Sequence, residues 1–226
     1  MPEDAARDGW RYTKRVYRPA AHFADDASIE SFSFSPEQPG DGAINVELAA
    51  YLPHETVHDA FLQCSAGNIA TSGHDGFYYQ LVEPHMVTRR FLAVAEGNEL
   101  SCGGAHPANW TVYRTFDRQT GKEVDLYDWI GLPLGEEKTH LLPLALRTAV
   151  VDRWSHDNER DDDTCREVVA DEDYWSLELT LDGISFTPEL PRVVMACGDP
   201  VLLTWQNLTS FLDAEGRAGL ALLQAK

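Results

Sequence analysis

The stretch Trp110-Thr111-Val112-Tyr113-Arg114-Thr115-Phe116-Asp117-Arg118-Gln119-Thr120-Gly121-Lys122-Glu123-Val124 decides the fold class. Aromatic and β-branched residues fill it as far as Phe116, and such residues suit a pleated, half-buried surface. Asp117 to Gly121 then supplies turn chemistry, with Gly at the left-handed position, and a short extended run follows from Lys122 to Leu126. The segment therefore predicts a β-hairpin.

Working outward, Phe77–Val82 and Met86–Ala95 read as strands upstream, separated by loops rich in Gly, Asn or Pro. Together these four runs predict an antiparallel meander. Downstream, Tyr174–Leu181 and Ile184–Thr187 flank Leu181-Asp182-Gly183 as a second hairpin, and Val201–Trp205 is a last strand. Thr139–Trp154 predicts a helix, because Leu142, Leu146, Ala149, Val150 and Trp154 share one face. Pro143 falls in its first turn, where a missing N–H is harmless. Glu55–Cys64 predicts another helix, ended by Gly67. Ser28–Ser35 alternates as a strand, Pro36–Gly42 is a loop, and Ile44–Tyr51 is a short helix or strand. Asp157–Asp173 reads as an acidic loop, Thr209–Asp213 as a helical turn and Leu220–Leu223 as an apolar tail. The fold class expected is α+β: an antiparallel meander packed by one or two helices. We expect an N-terminal arm at 1–27 and a single compact domain at 28–226, with similar halves at about 28–107 and 108–226.

The chain has 226 residues, 37 Asp and Glu against 18 Lys and Arg, and a net charge of -19. That balance repels nucleic acid and an anionic membrane surface, and attracts a basic partner. No apolar run reaches the roughly 18–20 residues of a membrane span. Met1-Pro2-Glu3-Asp4-Ala5 lacks the basic start and apolar middle of a signal peptide. The chain is thus expected to be cytosolic, or to have lost its signal.

Four cysteines, Cys64, Cys102, Cys165 and Cys197, include no C-x-x-C pair. They permit three pairings. The sequential one is favoured, each bridge tying a helix or loop to a neighbouring strand; four buried thiols are the alternative.

His54-Glu55-Thr56-Val57-His58 matches H-E-x-x-H, which on a helix places two zinc ligands one turn apart with Glu55 as general base. Pro53 interrupts the helix such a site needs, and Phe61 and Cys64 stand where the extended pattern wants Gly and His. A zinc hydrolase is therefore kept as the rival reading. Cys102 and His106 could form a nucleophile pair. The reading preferred is a disulfide at Cys102 and a structural His106 that closes its turn. Asp157, Glu159, Asp161 and Asp163 alternate like calcium-loop ligands, but Asp162 and Val168 occupy the Gly and Glu positions of that rule. No G-x-S-x-G, P-loop or G-x-G-x-x-G is present, and no cofactor is expected.

With these residues in hand, the chain resembles a bacterial envelope family. Its members include the lysozyme-sensing extracellular region of an anti-sigma factor and the non-catalytic N-terminal region of a peptidoglycan deacetylase. The resemblance rests on Gly103-Gly104-Ala105-His106, Phe116-Asp117, Thr120-Gly121-Lys122 and Leu126-Tyr127-Asp128-Trp129-Ile130, then on the later hairpin, Gly198, Val201–Trp205 and Leu208–Leu212. It covers about residues 28 to 215. Where family members often have Gly or Ala after His, this chain has Pro107. The resemblance implies an envelope domain, periplasmic or extracellular, that binds a protein or glycan without catalytic residues. The partner expected is a basic, lysozyme-type wall hydrolase or toxin, inhibited as by an immunity or lysozyme-inhibitor protein, or else peptidoglycan. Binding is expected at two loops, through Gly103, Gly104, His106 and Asn109, and through Asp157, Glu159, Asp161, Asp162 and Asp163.

Overall fold

The computed structural model describes residues 3–7, 9–18, 26–51, 56–103, 106–130, 140–157 and 163–224, with backbone alone at 3–4, 56–60, 72 and 163. The chain divides into two units, Met1–Glu123 and Val124–Lys226.

In the first unit, β1 (Glu3–Arg7), β2 (Trp10–Tyr17) and β3 (Ala27–Ser33) are followed by α1 (Asp41–Ala50) and α2 (Thr56–Ser72). Then come β4 (Phe77–Val87), β5 (Phe91–Ser101), β6 (Ala108–Asp117) and the two-residue β7 (Glu123–Val124). All seven strands lie in one sheet in sequence order. The meander from β4 onward is antiparallel where its ladders are described, as the sequence predicts. β3 and β4 instead run parallel, with Ile29 opposite Gln80, and the two helices make the crossover that a parallel step requires. The expected N-terminal arm is two strands, antiparallel to each other and to β3. The division falls after Glu123 rather than near 107, because β6 pairs with β5 along its whole length.

Two readings, one of a helix and one of a strand, need correction. α2 runs through Gly67 instead of stopping there, because the missing side chain admits the Cys102 carbonyl: a Cβ would lie 2.6 Å from that oxygen. The expected strand Met86–Ala95 is split, since Thr88 to Arg90 turns the chain between β4 and β5. The Thr88 hydroxyl accepts from the N–H groups of Arg90 and Phe91 and so caps that turn.

The core of this unit joins Phe32 and Phe34 to Ile44 and Leu48 of α1, and to Val82, Leu92, Val94 and Phe116 of the central strands. Each such side chain removed from water contributes about 1.5–3 kcal/mol. A buried ion pair fastens the start of α1 to the Asp117–Gly121 turn. Arg118 Nε donates to Asp41 Oδ1 at 2.9 Å and its terminal nitrogen to Oδ2 at 2.8 Å. The same Oδ2 accepts from the backbone N–H groups of Glu37 and Gln38. Gly40 and Gly121 let the two backbones touch there: a Cβ on Gly40 would fall 2.1 Å from the Gly121 nitrogen.

The second unit holds α3 (Leu144–Asp157), α4 (Asp163–Asp171), β8 (Trp175–Leu179), β9 (Gly183–Pro188), β10 (Val201–Thr204), α5 (Trp205–Leu208) and α6 (Ala214–Gln224), with 3-10 turns at Leu126–Trp129 and Arg192–Cys197. Its strands form an antiparallel sheet in the order β10-β9-β8. Leu146, Val150 and Trp154 of α3 are buried, as are Leu177, Leu179, Ile184, Phe186, Val201 and Leu203 of the sheet. The stripe read from sequence is thus the buried one. α3 starts at Leu144, later than expected, and the Pro143 carbonyl accepts from Arg147 N–H just ahead of it.

The expected acidic loop at 157–173 contains α4, whose Cys165 and Val169 are buried one turn apart. The expected apolar tail is part of α6, which lies against the Leu126–Trp129 turn through Gly216 and Gly219. The architecture is α+β, with a seven-stranded mixed sheet and a three-stranded sheet.

Candidate functional site

Alternate residues of a strand point to opposite faces of a sheet, and residues in register share a face. In β4 to β6 this separates two surfaces. On one, Val82, Leu92, Val94 and Phe116 meet α1. Farther along that side, burial and the charge of Glu96 push the Tyr78 hydroxyl above its ordinary range.

The other face carries Phe77, Tyr79, Leu81 and Glu83 on β4, Gly97 and Glu99 on β5, and Asn109, Thr111 and Tyr113 on β6, by the registers Leu81↔Gly97↔Thr111 and Tyr79↔Glu99↔Asn109; Ala93, Ala95 and Thr115 on the same face are buried, so it is open only at the end around Leu81 and Glu99. Phe77 and Tyr79 stack with ring centroids 5.5 Å apart. Leu81 is 38% exposed. Glu99, Asn109 and Thr111 are exposed. His85 Nε2 lies 3.6 Å from Glu83 Oε1.

Gly97 sits within this surface, and no described feature of the chain requires it. A Cβ there would meet only the Leu81 carbonyl, at 3.9 Å, among the described residues. A strand-interior glycine weakens a strand, and often marks close approach by a ligand or another backbone. β6 adds an open edge. Its residues Ala108 to Val112 are all exposed, Trp110 by 47% and Val112 by 40%. The two residues of β7 are too few to cover the ten of β6.

The Cys102 corner borders this surface. Cys64 and Cys102 form a disulfide, as do Cys165 and Cys197, in the sequential pairing. Cys102 therefore has no thiol to act as a nucleophile in this state. Gly103 takes φ +101°, and a Cβ on it would lie 2.9 Å from the Gly67 carbonyl. His106 is exposed and has no hydrogen bond to a described residue. The Cys64–Cys102 disulfide and the close approach of Gly103 to Gly67 hold this corner to α2. Gly104 lies outside the described residues.

Of the second expected loop, Asp157 ends α3 and pairs with Arg153 at 2.7 Å. Glu159, Asp161 and Asp162 lie outside the described residues, and Asp163 begins α4 with only its backbone described. His54 and Glu55 also lie outside them, and His58 is described only by its backbone in α2. Among the described residues no three His, Cys, Asp or Glu side chains converge as metal ligands.

Asn109 is thus the one sequence-predicted residue on the open face. The others there were missed: the alternation Phe77, Tyr79, Leu81 marked β4, but Gly97 lies just past the predicted strand Met86–Ala95, which β5 extends to Ser101.

No protein-family model matches the sequence, and no curated protein is significantly similar to it. Solved structures are similar in fold. A DUF3298 family protein from Pseudomonas aeruginosa has a TM-score of 0.58 and 12% identity, over 95% of this chain and 94% of that one. A DUF3298 family member from Bacteroides fragilis has a TM-score of 0.59 and 14% identity, over 100% of this chain and 98% of that one. The chain therefore has a DUF3298-like fold. Its disulfides fit an oxidising compartment, and among the described residues no helix is long and apolar enough to cross a membrane.

Proposed function

We propose that this chain is a non-catalytic binding protein of the bacterial periplasm or cell surface that captures and inhibits a basic, lysozyme-type wall hydrolase or toxin. The observation carrying this reading is the open end of the β4–β6 face, where Gly97 leaves a flat patch beside exposed Leu81, between Glu83 and Glu99. A flat patch of aromatic and aliphatic side chains suits the centre of a protein interface, and carboxylates around it suit a cationic partner. The net charge of -19 raises the encounter rate with such an enzyme. The resemblance of the Cys102–His106 and Asp117–Lys122 motifs to lysozyme-sensing envelope regions points to the same class of partner. Occlusion of the enzyme's cleft by the surface that ends at the Cys102 corner would supply inhibition.

Hen egg-white lysozyme, titrated at low salt, tests the reading by calorimetry and by lysis of a wall suspension. Binding that weakens steeply with salt, with inhibition of lysis, is expected. Gly97→Arg should weaken it at least tenfold (about 1.4 kcal/mol) by placing bulk and positive charge on the patch. No binding at low salt, or undiminished binding by Gly97→Arg, overturns the proposal. Binding to purified peptidoglycan without binding to the enzyme would point instead to a wall-attachment domain.

A further inference from the structure

The turn after β6 fixes the direction of that strand's hydrogen bonds. Asp117 N–H donates to the Lys122 carbonyl, and the Asp117 carbonyl accepts from Gly121 N–H, so the Asp117 backbone points away from β5. At the next residue the sense reverses, and Arg118 N–H donates back to the Arg90 carbonyl. The β5–β6 register runs without a shift from Leu100↔Ala108 to Phe91↔Asp117. By alternation, Ala108, Trp110 and Val112 bond to β5, while Asn109 and Thr111 turn their N–H and C=O groups outward.

β7 ends at Val124, two residues past Lys122, so it reaches no farther along β6 than Thr115. The outward groups of Asn109 and Thr111 therefore meet no described residue, and both residues are exposed. An open edge of this kind is a template for another strand, and proteins blunt such edges with charge, proline or a bulge. From Ala108 to Val112 this edge has none of the three.

From these observations, and resting on the basic partner proposed above, we infer that β6 takes up an extended cationic segment of that partner as an added antiparallel strand. Charge selects the occupant. A residue opposite Asn109 or Thr111 puts its side chain on the face that carries Glu99 and Gly97. Glu99 lies opposite Asn109, two strand spacings (roughly 10 Å) from the added strand, which a Lys or Arg reaching towards a carboxylate can span. The side chain opposite Thr111 lies over Gly97, where no side chain obstructs its stem. Residues opposite Trp110 and Val112 fall on the other face, against those two exposed apolar side chains. The segment therefore alternates cationic and apolar residues. A second copy of this chain suits the edge less well, because two molecules of net charge -19 repel each other.

The test is titration of the isotope-labelled full chain with a capped peptide of about eight residues that alternates Lys and Val. N-methyl groups on its Val residues leave free the Lys N–H groups, which face β6 in antiparallel pairing, and prevent the peptide from pairing with itself along its other edge. Saturable amide shifts at residues 108–112 are expected, with slowed hydrogen exchange at Asn109 and Thr111. Moving the N-methyl groups to the Lys residues, or replacing Lys by Glu, should weaken binding at least tenfold. Thr111→Pro should do the same, since it removes an outward N–H and leaves the bonds to β5 in place, whereas Thr111→Val should bind as wild type does. No binding up to about 1 mM peptide, or equal binding of the Glu peptide or the Lys-methylated one, overturns the inference. Pairing of two copies through β6 that the peptide does not disturb also overturns it. Lysozyme binding without peptide binding refutes the added strand and leaves the enzyme reading standing, and peptide binding without lysozyme binding does the reverse. Should Thr111→Pro fail to fold, the two methylated peptides decide on the wild type.

Discussion

Replacing Asp41 by Asn tests the physical account of how the Asp117–Gly121 turn is held to α1. The carboxylate is 0% exposed and Arg118 is 2% exposed, so water cannot replace a lost partner. Asp41 accepts four hydrogen bonds: two from Arg118 and one each from Glu37 and Gln38 N–H. Asn keeps a single acceptor oxygen and no charge, which leaves a buried guanidinium without its counter-ion. Breaking a buried pair in this way costs about 3–5 kcal/mol, a large share of the roughly 5–15 kcal/mol that holds an ordinary domain folded. Burial alone would raise the Asp41 pKa. The hydrogen bonds from Arg118 and the two N–H groups, with the Arg118 charge, outweigh it and hold the group below its ordinary 3.8. A depressed folded-state pKa gives stability that is present above the unfolded value and lost as pH falls through the folded one. The gap between wild type and Asp41→Asn should therefore be full at neutral pH and narrow only below about pH 4. Hydrogen exchange resolved to α1 and β6 reads this unit by itself. Asp41→Asn combined with Arg118→Met removes the stranded charge and should recover part of the loss. A cost under about 1 kcal/mol, or a gap unchanged between neutral pH and pH 3, would refute the reasoning.

Two further outcomes follow from packing and covalent structure. Gly219→Ala places a Cβ 2.4 Å from the Trp129 ring, so α6 must shift off the Leu126–Trp129 turn. A loss of about 1–3 kcal/mol with altered Trp129 emission is expected, and a silent substitution would show that α6 does not pack there. Cys64→Ser with Cys102→Ser opens a link between residues 38 apart, at a cost of about 3–4 kcal/mol by chain entropy; unchanged urea unfolding of this unit would contradict that.

The sequence made the hairpin legible because its signals are local: apolar alternation, Asp117 at the turn's start and Gly121 at a left-handed position, seen at φ +71°. It did not reveal why Arg118 is there, since its partner Asp41 lies 77 residues away in the segment Pro36–Gly42, read as a loop. β2 was legible in part, through Trp10, Tyr12 and Val16 at alternate positions, but Lys14 breaks the apolar series and the segment read as an arm. α4 was hidden by composition. Its apolar stripe is narrow, with Cys165 and Val169 buried among mostly charged neighbours, and the disulfide to Cys197 compensates for so small a buried face. The open face was missed for a different reason. A strand pattern tells which residues share a side, but not which side a helix covers, and α1 takes one side of β4–β6 without reaching Trp110 or Val112.

The cysteines join in the order in which they occur, 64 to 102 and 165 to 197, and each bridge stays inside one unit. This connectivity suits a chain that meets its oxidant progressively from the N-terminus. A catalyst that links each thiol to the next one to emerge makes the native set directly, with no mispaired intermediate to be reshuffled. The first bridge can close before the second pair has been delivered, so the upstream unit can mature while the downstream one is still in transit.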